Sequence, residues 1–523
     1  MNATLTTMAR RVRVAICASF LLLFAGASHA QTADPGKEGL ALAAKHVFEL
    51  IAQAHQREAE GNLPQALGLI DRAVFASQEA RDPYLMFSSQ WQAGLILDRM
   101  GRSEQAIAPL REAAFHLQSL RGSADMFRET EGQVYSRLAD LLLRRAQALN
   151  DGAEVQALRR EAQQTIERYR EAELRNYFRN DCLASSDSMP DATNLDSHAA
   201  IIYPIIFPER MEILVDIHGT LHQITVPVGA ERLRQETAIF VNKLGKRTTQ
   251  EFMTSSWLFY DWMIRPIAPM LEAAKIETLV FVPDGPLRMI PMATLHDGKD
   301  FLISKWAVAV VPGLRLTDVR IVKRQQDNML IGAVSKPVQH FPGLPSVAEE
   351  VREVENLYHG TALVDEAFDR QSLSSEMKAG NYGIVHIATH AQFRENPNDT
   401  FLLSYSDKVS LDDLQQLIGS RRYSSQPVRL VTLSACQTAA GNDKAALGLA
   451  GVAVKSGAQS ALASLWYIND SAASEIVEEF YRSMRGGLSK ALALREAQLK
   501  LLADRRFRHP GYWGPFLVIG NWM

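Results

Sequence analysis

A cysteine and a histidine stand at the ends of two apolar runs. Val428-Arg429-Leu430-Val431-Thr432-Leu433-Ser434-Ala435 leads into Cys436, followed by the small-residue turn Gln437-Thr438-Ala439-Ala440-Gly441, and Ile384-Val385-His386-Ile387-Ala388-Thr389 leads into His390. A thiol with a pKa of about 8.5 is mostly protonated at neutral pH, so as a nucleophile it needs a base beside it. Strand ends meet that need, because a buried sheet holds both groups rigidly and opens them to substrate at its rim. This is the layout of a cysteine hydrolase. His386 lies four residues before His390 and therefore on the same side of the strand; it is expected deeper in the sheet, as a buried histidine bonded to a neighbouring loop. The competing reading of Cys436 is a buried free cysteine, packed as a small apolar residue.

The elements that would carry these groups alternate strand and helix from about Leu279 onward, the signature of a wound sheet with helices on its faces. Leu279–Val282 ends at the turn Pro283-Asp284-Gly285-Pro286, and Ala461–Trp466 delivers Asn469 and Asp470. With the loops bearing His390 and Cys436, that makes four expected to converge on one edge of the sheet. Ahead of them, Ile201–Ile206, Met211–Ile217 and Leu221–Val226 read as strands, with a hairpin turn at His218-Gly219, and a helical pattern runs from Leu233 to Ala274.

From Gly39 to Glu173 the apolar spacing is helical, and it repeats in register: Gly61, Ala66, Ile70 and Ala73 match Gly101, Ala106, Leu110 and Ala113. The spacing resembles tetratricopeptide repeats, with a period longer than the roughly 34 residues of that family. Such a stack offers a concave groove to a protein partner, or else serves only as a stabilising cap. The polar run 183–198 reads as a linker. Arg10, Arg11 and Arg13 before the apolar stretch Val14–Ala27, then Ser28-His29-Ala30, read as a signal peptide over residues 1–30, so export to a periplasmic or extracellular space is expected. An uncleaved signal would instead tether the chain to a membrane, although the stretch is shorter than the roughly 20 residues needed to span one, and no stable transmembrane segment is expected after its removal.

A net charge of -3 with 22% charged residues gives no basic field for nucleic acid. Discarding Cys17 leaves Cys182 and Cys436, which with scattered histidines give no zinc spacing; neither metal nor cofactor is expected. A disulfide between those two cysteines would silence the nucleophile.

Six segments in order, Pro283-Asp284-Gly285-Pro286-Leu287, Phe301–Val308, His386–His390, Leu433–Thr438, Gly457-Ala458 with Ser464-Leu465-Trp466, and Trp513-Gly514-Pro515-Phe516, resemble the CHAT domain, a caspase-like group of clan CD cysteine peptidases related to separase and often joined to tetratricopeptide repeats. The organisation read from the chain is then a tetratricopeptide-like helical repeat domain over 39–175 and an α/β caspase-like domain with a mostly parallel sheet over 199–523, of which 199–274 is an N-terminal extension. The resemblance implies a His390 base, a Cys436 nucleophile, and an oxyanion site made of the backbone N–H groups of Cys436 and Ala391. The family usually has glycine where Ala391 stands. Asp470 falls where separase-like sequences carry an aspartate that selects a basic side chain, and is equally placed to cap the helix Ser471–Met484; Asp284 is a second candidate pocket wall. The function expected is a cysteine endopeptidase acting on a protein or peptide, with the repeats recruiting or sensing a partner. The alternatives are a noncatalytic caspase-fold scaffold and a zymogen released by a partner.

Overall fold

The computed structural model describes residues 35–120, 128–150, 152–178, 196–320, 328–419, 427–434, 436–438 and 443–523, with only the backbone described for 35–38, 128–129 and 436–438. Residues 1–30, read as a signal peptide, together with Cys17, Cys182 and most of the segment read as a linker, lie outside the described residues.

Among the described residues, six helices come first: α1 (Pro35–Ala59), α2 (Leu63–Ala80), α3 (Pro83–Arg99), α4 (Ser103–Ser119), α5 (Arg128–Ala148) and α6 (Ala153–Phe178). They pack as three successive hairpins. The first two turn at Gly61 (φ 80°) and Gly101 (φ 74°), left-handed positions that glycine occupies without strain. Ala66, Ala73, Ala106 and Ala113 are wholly buried, as the repeat register requires. At Gly94 the pair α3/α4 is so close that a Cβ would sit 2.5 Å from Leu110 Cδ2.

Among the described residues, fifteen strands follow: β1 (Ala199–Ile206), β2 (Met211–Ile217), β3 (Thr220–Val226), β4 (Thr278–Phe281), β5 (Ala307–Val310), β6 (Met329–Ala333), β7 (Gly360–Val364), β8 (Ile384–Ala388), β9 (Ala391–Phe393), β10 (Phe401–Leu403), β11 (Lys408–Ser410), β12 (Leu430–Leu433), β13 (Cys436–Thr438), β14 (Ser460–Ser464) and β15 (Phe516–Gly520). Eleven form one sheet in the order β3-β2-β1-β4-β5-β15-β14-β12-β8-β6-β7, and four form a small sheet β11-β10-β9-β13. The hairpin β2/β3 turns at His218 (φ 51°) and Gly219 (φ 79°), the two positive-φ positions of a type I′ turn.

The large sheet is mostly parallel, in two blocks of opposite sense. β1, β4, β5 and β15 are mutually parallel, as are β14, β12, β8, β6 and β7, and the antiparallel pair β14/β15 joins them. This corrects one expectation: loops leaving β8, β12 and β14 share an edge, whereas the Pro283-Asp284 turn after β4 leaves at the opposite edge.

The first helical hairpin and one side of α3 (Leu85, Ala93, Ile96) form a small core around Val47, Ile51 and Ile70, while the rest of the second hairpin and the third share one continuous core with the sheet. α5 and α6 both contact the sheet, α5 through Asp140 with Arg210 (2.8 Å) and the Leu143 carbonyl with Gln223 (3.1 Å). Glu167, fully buried on α6, accepts hydrogen bonds from Tyr203 Oη (2.8 Å), Leu314 N (2.9 Å) and Arg315 N (3.0 Å). Burial pushes the Glu167 carboxyl above its ordinary pKa in spite of these donors.

Candidate active site

Both chemistry-bearing strands cross from the large sheet to the small one in step. β8 and β12 are parallel neighbours, with Leu433 opposite Ile387, and their continuations β9 and β13 are parallel neighbours again, with Cys436 opposite Ala391. The chain runs through three residues between those registers on the β8 side, ending at His390, and through two on the β12 side. One extra residue breaks strict pairing, as a bulge does, and re-aims the side chain carried there. Thr389 Oγ1 donates to Leu403 O (2.7 Å) and Leu403 N to His390 O (2.8 Å), which fastens this crossing to β10. Cys436 therefore does not sit on an open turn after β12; it opens a strand of its own.

The His390 ring is buried, at 2% exposure. Its Nε2 lies 2.8 Å from the Pro342 carbonyl. A carbonyl only accepts, so Nε2 carries the proton and Nδ1 is the basic nitrogen of the neutral ring. Phe341 packs against the imidazole with ring centroids 5.0 Å apart. The loop that supplies both contacts leaves β6 at the same edge, and it turns sharply: Gln339 (φ 47°) and His340 (φ 70°) are left-handed, and Val338 pairs with Phe341 across them. Such strain persists only where the surroundings enforce it. Asp365 holds the start of the loop, accepting from Ser335 N (2.8 Å) and Lys336 N (3.2 Å). Phe341 and Pro342 were not singled out from sequence, although a proline-rich segment directly after an apolar strand was a readable signal for a rim loop.

Asp470 holds the end of the same loop. Its carboxylate accepts Ser346 N at 2.7 Å. The helix there is Asp470–Arg485, and its N-cap is Asn469, which accepts from Ala472 N; the capping role expected of Asp470 belongs one residue earlier. Asp470 stays on the edge of His390 and Cys436. Asp284 does not. One of its oxygens meets Arg170 of α6 at 2.9 Å and the other accepts Ile206 N at 3.0 Å. Burial pushes its pKa up, but the Arg170 and Arg288 guanidiniums outweigh that and hold it below the ordinary value. Asp284 joins the helical domain to the sheet, at the edge opposite to His390.

His386 occupies the middle of β8, opposite Thr432 and Ile331. Its Nε2 stands 2.9 Å from Glu350 Oε1, at an angle too poor for a hydrogen bond, and its Nδ1 stands 3.2 Å from Tyr481 Oη, which donates to Thr432 Oγ1 at 2.7 Å. The partners come from helices rather than from the expected loop, and none faces the rim.

The two backbone donors expected at the oxyanion site, those of Ala391 and Cys436, are register partners. A parallel bridge uses both the N–H and the C=O of one of its two residues. While β13 lies on β9, one of the two N–H groups is therefore spent in the ladder, and the pair cannot serve together.

A family model for the CHAT domain matches residues 254–521. The chain belongs to the CHAT domain family. The match begins inside the region 199–274 read as an extension and takes in β4 to β15, hence His390 and Cys436. The chain is 25% identical over 321 residues, half its length, to human tetratricopeptide repeat protein 28, and 34% identical over 322 residues to the mouse protein of that name. It spans 13% of the length of each. Among solved structures, the Saccharomyces cerevisiae separase–securin complex is similar at a TM-score of 0.37 and 10% identity, over 92% of this chain and 40% of that one. The complex of Porphyromonas gingivalis RgpB pro- and mature domains is similar at 0.33 and 8%, over 56% and 77%. Among the described residues, no helix is long and apolar enough to cross a membrane.

Proposed function

We propose that this CHAT protein is a cysteine endopeptidase. Nδ1 of His390 takes the Cys436 proton, the thiolate attacks a peptide carbonyl, and the leaving amine takes that proton as a thioester forms; water then releases the acyl fragment. What supports this is the register of Cys436 with Ala391 together with the Pro342 carbonyl on His390 Nε2. The first sets the two segments side by side, and the second reserves Nδ1 as the base. We assign recognition of a basic side chain to Asp470, the acidic candidate on that edge, and recruitment of a protein partner to the helical repeats, in an exported chain. Replacing Cys436 by alanine is expected to abolish cleavage of a protein substrate without unfolding the chain; cleavage retained by Cys436→Ala sinks the assignment.

The β13/β9 pairing favours a second reading, latency, since it withholds one oxyanion donor until β13 moves. Labelling of Cys436 by a thiol-reactive peptide electrophile that appears only when a partner is added supports latency. Inertness with every partner supports a noncatalytic scaffold.

A further inference from the structure

The last turn of α6 reaches both segments that flank the dyad. Tyr177 Oη donates to the carbonyl of Arg394 at 2.7 Å, and Arg394 is the residue after β9, which begins next to His390. Arg394 N in turn donates to Thr400 Oγ1 (3.0 Å), in the turn between β9 and β10. On its other side Tyr177 meets the helix Asp443–Ala450, the first helix after β13. The approach there requires glycine: a Cβ on Gly448 would lie 2.3 Å from Tyr177 Oη, and a Cβ on Gly451 would lie 2.6 Å from the Phe178 ring and 2.7 Å from Leu174. The tyrosine is buried, and that burial pushes its pKa up to about 12, so the hydroxyl is a neutral donor at neutral pH. A single phenol thus spans the exit of the His390 strand and the helix that follows the Cys436 strand, and it belongs to the helical repeat stack.

We propose that Tyr177 is a positioning residue that sets the register of β9 against β13, so that the helical repeats govern whether His390 and Cys436 are aligned. This rests on the peptidase reading above. The chemistry favours it: a carbonyl bound from outside cannot slide along the strand, and His390 precedes the anchored stretch by four residues or fewer. Nor can a helix shift toward the phenol when a Cβ on its Gly448 would already lie 2.3 Å from the oxygen. Any ligand of the repeats that tilts α6 would move both anchors at once.

The test is Tyr177→Phe in the full chain, read by steady-state cleavage and by the rate of iodoacetamide alkylation of Cys436 across pH 5–10. Loss of this one hydrogen bond is expected to lower kcat by about five- to tenfold with KM within about twofold, and to move the alkylation profile toward an ordinary thiol. Gly448→Ala should produce the same two changes by displacing the ring, and the double variant should fall short of the product of the single effects. Wild-type kcat and an unmoved alkylation profile in Tyr177→Phe overturn the proposal, as does a change in melting temperature alone. If the wild type cleaves no better than Cys436→Ala, the peptidase reading fails instead, and the alkylation profile by itself decides the role of Tyr177. Should Gly448→Ala fail to fold, Tyr177→Phe, which only removes an oxygen, still supports or overturns the proposal on its own.

Discussion

Asp284 separates two accounts of the same residue by experiment. In Asp284→Asn the amide oxygen can still accept Ile206 N, but the charge opposite Arg170 is lost. The Arg170 side chain is only 1% exposed and keeps Glu173 at 3.1 Å, a carboxylate that Arg288 also engages. Breaking one partner out of a buried ion pair costs about 3–5 kcal/mol, and the surviving Glu173 contact puts this case near the lower figure. For a chain of this size the unfolding entropy is on the order of 1 kcal/mol per kelvin, so the melting midpoint should fall by about 3 °C if the chain unfolds as one unit. Adding Arg170→Met should recover part of the loss, because the uncompensated buried cation is then gone. The pH dependence has a definite sign. Asp284 is held below its ordinary pKa when folded, so its contribution is present above the unfolded value of about 3.9 and is lost as pH falls through the lower folded value. The gap between wild type and variant should be constant at neutral pH and should narrow only below about pH 4. Urea unfolding at pH 7 and pH 3.5, followed by tryptophan fluorescence, measures this. Unchanged stability, together with a raised KM for peptides with a basic residue before the scissile bond, would refute the reasoning and restore Asp284 as a pocket wall.

Asp470→Asn keeps an acceptor for Ser346 N and removes the charge, so stability should hold while cleavage after basic residues weakens; selectivity profiling with basic and apolar peptides checks this. Asn469→Ala should instead cost about 1 kcal/mol of stability through the lost N-cap, measured by urea unfolding, with the basic preference intact. Tyr481→Phe removes the hydroxyl that joins His386 to Thr432 and should lower stability by about 1–2 kcal/mol with the Cys436 alkylation rate unchanged; a slowed alkylation would return His386 to candidacy as the base.

Much of the architecture was legible because local chemistry dictates it. Gly61 and Gly101 mark the helical turns, the alanines repeat in register, and His218-Gly219 can satisfy a turn with two positive φ angles. The ends of β8 and β12 pointed to His390 and Cys436 for the same reason, since a long apolar run announces its own end. What escaped was nonlocal. Nothing in Phe516–Gly520 marks the direction of its strand, so the reversal at β14/β15, and with it the separation of Asp284 from the other loops, could not be seen. β9, β10, β11 and β13 are three residues each, too short to show a period of two. The pairing of Cys436 with Ala391 was hidden with them. Arg170 and Tyr177 looked like ordinary residues of an amphipathic helix, and only the packed structure gives them partners some 114 and 217 positions away.

The place of β15 bears on how the protein is made. It sits between β5 and β14 yet leaves the ribosome after both, so the strands on either side of it are translated before the one that joins them. The block with β8, β12 and β14 holds the thiol, and the block with β1, β4 and β5 meets α6 through Glu167, Asp284 and their neighbours. Their union waits for Phe516–Gly520. Synthesis thus completes the large sheet only when nearly all of the described sequence has been translated.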